Sequence, residues 1–84
     1  MNLLTENSKQ FIGQAVKVCI NHKVYGKQDL TIRKFQPLCD NDKVGFMVGK
    51  QKIFIYLDEI ENFETYDNIC IIQGTMQDIV IEKI

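Results

Sequence analysis

The chain is predicted to be a mainly β, α+β protein: a short N-terminal helix on a five- or six-stranded antiparallel small barrel or rolled sheet. Three observations carry that expectation. After residue 13 the apolar residues alternate with polar ones at a period of two. The alternating runs are short and separated by turn-forming residues such as Asp40-Asn41-Asp42 and Tyr66-Asp67-Asn68. Finally, 84 residues with one proline and 45% hydrophobic content suit one small packed core. The expected organisation is a single domain over residues 1–84, with residues 1–13 as helix and 14–84 as sheet.

Taken in order, Leu3 to Ile12 read as a helix. Leu4, Phe11 and Ala15 share one face, Leu3 and Ile12 flank it, and Gly13 is placed to stop it. About ten residues make a marginal helix in isolation, so this one must dock on the sheet. In "AVKVCI", Val16, Val18 and Ile20 alternate with Lys17 and Cys19, the pattern of a half-buried strand. "NHKVYGKQD" is turn-like, with the strand running on to Tyr25 as the alternative. In "LTIRKF", Leu30 and Ile32 face one way, and Thr31, Arg33 and Phe35 the other. Pro37 lacks an amide hydrogen and bars its stretch from a fully paired central position.

A hairpin follows over Val44–Leu57. Val44, Phe46 and Val48 form one face with Ile53, Ile55 and Leu57, and Gly49-Lys50-Gln51-Lys52 joins the strands. Its other face carries Met47, Phe54 and Tyr56, too apolar for a surface simply bathed in water. The expected cover is the N-terminal helix, through Leu3, Leu4, Phe11 and Ile12. A partner or second copy of the chain is the competing reading. "DEIENF" is either one helical turn capped by Asp58, or a bend after which Ile60 and Phe63 continue the sheet. "ICII" and "DIVIEKI" are two further strands, joined through a turn in which Gly74 supplies positive φ.

The order of a helix, then "VKVCINHKVYGKQDLTIRKF", an Asp-Asn turn and "VGFMV" resembles the layout of Sm-like small barrels, the family of Hfq and the Sm RNA-binding proteins. The resemblance spans roughly residues 3–63 and implies a small barrel with RNA or single-stranded DNA binding. Phe35 and the Asp40-Asn41 pair lie too far apart for the family's compact motif, and "ICIIQGTMQDIVIEKI" adds a hairpin, so no binding residue is carried over.

Net charge is −1, yet it is unevenly divided. Residues 1–52 hold nine Lys and Arg against four Asp and Glu, whereas residues 53–84 hold one lysine against seven acids. Two candidate surfaces follow. Asp58, Glu59, Glu61, Phe63, Glu64, Tyr66 and Asp67 place charge beside aromatic anchors, a composition suited to a protein partner, such as a basic one. Lys23, Lys27, Arg33 and Lys34 interleave cations with the rings of Tyr25 and Phe35, the combination that holds single-stranded nucleic acid, unless Phe35 is core. Complementary halves and free sheet edges favour self-association into a homodimer.

Catalysis is not expected. No phosphate-cradling glycine loop is present, and His22 is the only histidine. Cys19, Cys39 and Cys70 are odd in number and widely spaced, which fits neither a disulfide frame nor paired zinc ligands, so neither metal nor cofactor is expected. No apolar run approaches the roughly 20 residues of a membrane-spanning helix, and "MNLLTENSKQ" lacks the pattern of a secretion signal. A cytoplasmic binding or regulatory protein is the expectation. A compact domain without a catalytic site would also suit a phage or mobile-element inhibitor that blocks a nucleic-acid-handling host factor.

Overall fold

A computed structural model describes residues 9–84, apart from the Cys39 side chain. Eight strands form two antiparallel sheets. They are β1 (Val16–His22), β2 (Gly26–Ile32), β3 (Pro37–Cys39), β4 (Lys43–Val48), β5 (Gln51–Tyr56), β6 (Ile60–Thr65), β7 (Ile69–Gly74) and β8 (Gln77–Lys83). The first sheet has the order β2-β1-β8-β7-β6 and the second β3-β4-β5. The mainly β, antiparallel expectation holds, but the strands close no barrel. The last strand returns to lie beside the first, pairing Val16 with Lys83 and His22 with Gln77.

Alternation explains the larger sheet. Val16, Val18 and Ile20 of β1, Ile32 of β2, Cys70 and Ile72 of β7, and Ile79 and Ile81 of β8 all point inward and are buried. They meet Val44, Phe46 and Ile55 of the small sheet in one core. Phe11 and Phe35 lie within it, their rings edge-on at 6.4 Å, and Phe35 stacks at a tilt on Phe46 at 5.9 Å.

The N-terminal segment departs from expectation. Its described part is a single 3-10 turn, Lys9–Phe11, and Leu3 and Leu4 lie outside the described residues. Phe11 enters the core between the sheets instead of covering the hairpin, and Ile12 is 45% exposed. The segment is held by backbone bonds: Gly13 N–H donates to the Phe35 carbonyl at 2.9 Å, and Phe35 N–H to that of Gln14 at 3.0 Å.

The hairpin is paired as Val44 with Ile55 and Phe46 with Ile53, which puts the expected apolar face in the core. The connection is only Gly49-Lys50, because Gly49 at φ 62° allows the two-residue turn that matches strand twist. Leu57 falls beyond the strand, in a 3-10 turn over Leu57–Glu59. The other face remains partly open. Phe54 is half-buried, Tyr56 is 49% exposed, and the Lys43 ammonium stands 4.8 Å and 5.9 Å from their ring centroids. A cation over aromatic faces does part of the work expected of a helix.

Both readings of "DEIENF" are realised in succession: the turn Leu57–Glu59, then β6. Tyr56, not Asp58, occupies the N-cap, and no side chain caps the turn. Gly74 does not adopt positive φ. It is required for close approach instead, since a Cβ there would lie 2.8 Å from the Gln77 carbonyl oxygen and 3.1 Å from that of Glu59.

Candidate protein-interaction surface

Three chain connections meet at one end of the molecule. The first is Lys23–Tyr25, between β1 and β2. Here His22 Nδ1 accepts the N–H groups of Val24 at 3.1 Å and Tyr25 at 3.3 Å, and Gly26 at φ 85° completes the reversal. The His22 ring also packs on Tyr25 at 4.7 Å. The histidine therefore organises a turn, and its Nδ1 is committed there. The second connection, Thr75-Met76, joins β7 to β8. The third is the turn Leu57–Glu59. Backbone bonds stitch them together: Lys23 N–H donates to the Met76 carbonyl at 2.9 Å, and Thr75 N–H to that of Glu59 at 2.9 Å.

This end concentrates exposed apolar surface. Among the described residues, eight large apolar side chains are exposed: Ile12, Val24, Tyr25, Tyr56, Leu57, Tyr66, Met76 and Ile84. Val24, Tyr25, Leu57 and Met76 lie on the three connections, and Tyr56 adjoins them. Val24 and Tyr25 are the most exposed of them apart from Ile84, at 69% and 86% against 77%. Lys23, Asp58 and Glu59 supply charge beside them.

The two residue sets expected from the sequence are each divided by the fold. Asp58 and Glu59 sit at the turn-bearing end, next to Lys23 and Tyr25 of the basic set. Glu61, Phe63 and Glu64 run along β6, an outer strand of the large sheet, to Tyr66 and Asp67 at its far end. Phe63 is half-buried against the core, so it is a packing residue more than an exposed anchor. Glu64 accepts hydrogen bonds from Asn62 Nδ2 at 3.2 Å and the Tyr66 hydroxyl at 3.3 Å. With the register shift between Ile60 and Asn62, these carboxylates give β6 the charge and bulge that discourage strand addition at an edge.

The basic set is likewise spread out. Lys27 lies on the outer face of the large sheet, close to Asp29. Arg33 and Lys34 follow β2, eight or more residues beyond Tyr25, and an extended strand of that length covers about 25 Å.

The outer face of the large sheet holds a shallow depression of about 380 Å³, lined by Cys19, Asn21, Lys27, Ile71, Gln73, Asp78 and Val80. A hydrogen bond to Asp29, with burial and the carboxylate's charge, raises the Cys19 thiol pKa and keeps it protonated at neutral pH. Burial pushes the Cys70 thiol up to about 11, against a hydrogen bond with Thr65. Neither is poised as a thiolate. Among the described residues, no three His, Cys, Asp or Glu side chains gather as a metal site, and no helix is long and apolar enough to cross a membrane.

The sequence shows "NHKVYG" as a turn but gives no local sign of its neighbours. Met76 and Leu57 become part of the surface only through the pairing of β1 with β8 and of β7 with β6. No protein-family model, curated protein or solved structure matches the chain.

Proposed function

We propose that this protein is a non-catalytic binding domain that acts by contact with another protein, through the end formed by Lys23–Tyr25, Leu57–Glu59 and Thr75-Met76. One observation carries the reading: half of the exposed large apolar side chains among the described residues lie on these three connections, with Tyr56 beside them. An exposed tyrosine with adjacent aliphatic and thioether side chains is the composition of an interface centre, and Lys23, Asp58 and Glu59 supply a charged rim. Separation of Lys23 and Tyr25 from Arg33 and Lys34 weighs against a continuous nucleic-acid track.

The test is capture from an extract of the source cells on the tagged full chain, with and without nuclease. Tyr25→Ala with Met76→Lys is expected to lower partner recovery at least tenfold, the loss of a typical hot spot. Both sites are exposed, so the fold stays intact by circular dichroism. Arg33→Ala with Lys34→Ala should leave recovery unchanged, and nuclease should have no effect. Recovery that survives the first pair of substitutions, or that nuclease abolishes, overturns the proposal.

A further inference from the structure

We propose that β5 pairs, antiparallel and about a two-fold axis at Phe54, with β5 of a second copy of this chain, extending the three-stranded sheet across the dimer. The pairing edge runs along β5 and reaches the turn-bearing end only at Tyr56, and the inference does not rest on the function proposed above.

The two sheets leave four outer strands: β2 and β6, β3 and β5. β3 has three residues and begins with Pro37. β6 carries a register shift and three carboxylate or amide side chains, Glu61, Asn62 and Glu64. β2, "GKQDLTI", begins with Gly26 and is polar through Asp29. These are the features by which sheet edges avoid pairing. β5, "QKIFIY", has no proline, glycine, acid or register shift over its six residues, and Lys52 is its only charge.

Backbone parity fixes which groups of β5 face outward. Lys43 carbonyl accepts from Asp40 N–H, and Met47 N–H donates to Gln36, so the odd residues of β4 turn toward β3. The even residues then bond β5 at Gln51, Ile53 and Ile55, and Leu57 N–H continues that ladder to the Asp42 carbonyl. The N–H and C=O groups of Lys52 and Phe54 and the N–H of Tyr56 point the other way, where no partner is found among the described residues, while the Tyr56 carbonyl opens the 3-10 turn Leu57–Glu59.

Those three residues prescribe one self-complementary register. Phe54 faces Phe54 of the second copy as a hydrogen-bonded pair, and Lys52 faces Tyr56 in both directions. The Lys52 ammonium then meets a tyrosine ring, the contact Lys43 already makes with Tyr56 within one chain. On the inner side, Ile53 comes opposite Ile55 of the second copy. Ile53 is only half-buried at the core margin, and this contact completes its cover. The core thus becomes continuous across the axis.

Tyr56 provides the test. Its φ of −70° and ψ of 140° suit proline, Ile55 before it is extended, and its N–H is not used by β4. Tyr56→Pro therefore removes an edge donor while leaving the fold in place, and Tyr56→Thr removes the ring but keeps the donor. Sedimentation equilibrium over a concentration series should show a dimer for the natural chain and for Tyr56→Thr. Tyr56→Pro should weaken dimerisation at least tenfold with an unchanged circular dichroism spectrum. A natural chain that stays monomeric throughout, or equal association of the proline and threonine variants, overturns the proposal. If the proline variant unfolds, Phe54→Cys decides: a hydrogen-bonded antiparallel pair holds its Cα atoms about 5.5 Å apart, within disulfide reach. Oxidation should convert that variant to covalent dimer, and no more covalent dimer than the natural chain forms would contradict the pairing.

Discussion

Replacing Gly45 by alanine is expected to destabilise the protein by about 4 kcal/mol or more, beyond the usual range for overpacking. Gly45 is buried in the middle of β4, opposite Leu38 on one side and Phe54 on the other. An added Cβ would overlap the carbonyl oxygen of Ile53, lie 2.8 Å from its carbonyl carbon and 3.0 Å from Phe54 Cα. All three atoms are backbone, so no rotamer change relieves the contact, and the β4–β5 ladder must open. A chain of 84 residues has on the order of 4–12 kcal/mol of stability in total. The variant should therefore be largely unfolded in water, or show a sharply reduced urea midpoint with little change in slope. A loss below about 1 kcal/mol would show that the two strands do not approach so closely.

Phe35→Ala is expected to cost about 3–5 kcal/mol. The side chain is buried, touches the rings of Phe11 and Phe46, and its backbone anchors the N-terminal segment through Gly13 and Gln14. Truncation leaves a cavity where three rings meet, and the aromatic contacts add to the loss. Phe35→Leu fills most of that volume and should cost less than half as much. The same measurement bears on the basic stretch around Arg33. A ring reserved for stacking on bases would sit at the surface, and its removal would leave the urea midpoint almost unmoved.

Much of this fold is legible locally. Alternation alone places Val16, Val18 and Ile20 inward, and it pairs Val44 and Phe46 with Ile53 and Ile55. The Asp40 turn is equally direct: Asn41 N–H donates to Asp40 Oδ1 at 2.8 Å, as short acidic side chains do in turns. Gly26–Asp29 is a different case. Those residues are polar and exposed, so no hydrophobic period marks them, and they become strand only because β1 supplies a ladder. The N-terminal segment reads as a helix because Leu3, Leu4, Phe11 and Ile12 are suitably spaced. In the described part, burial of Phe11 against Phe35 outweighs that weak propensity. Phe63, set among Glu61 and Glu64, looks like a surface anchor, yet period-two geometry turns it toward Ile72 and the core.

The candidate surface was less visible for a single reason: its parts are far apart in the chain. Tyr25, Leu57 and Met76 meet because the last strand returns beside the first and Glu59 accepts from Thr75. No local pattern encodes that return.

The most direct measurement of the central claim is site-specific photo-crosslinking in nuclease-treated extract of the source cells. A photoreactive phenylalanine analogue is placed singly at Tyr25, Leu57 or Met76, with Thr31 as the control. Adducts to one common protein from all three positions, and none from Thr31, are predicted. Adducts to unrelated proteins from the three positions, or an equal yield of the same adduct from Thr31, would contradict a single contact surface at the turn-bearing end.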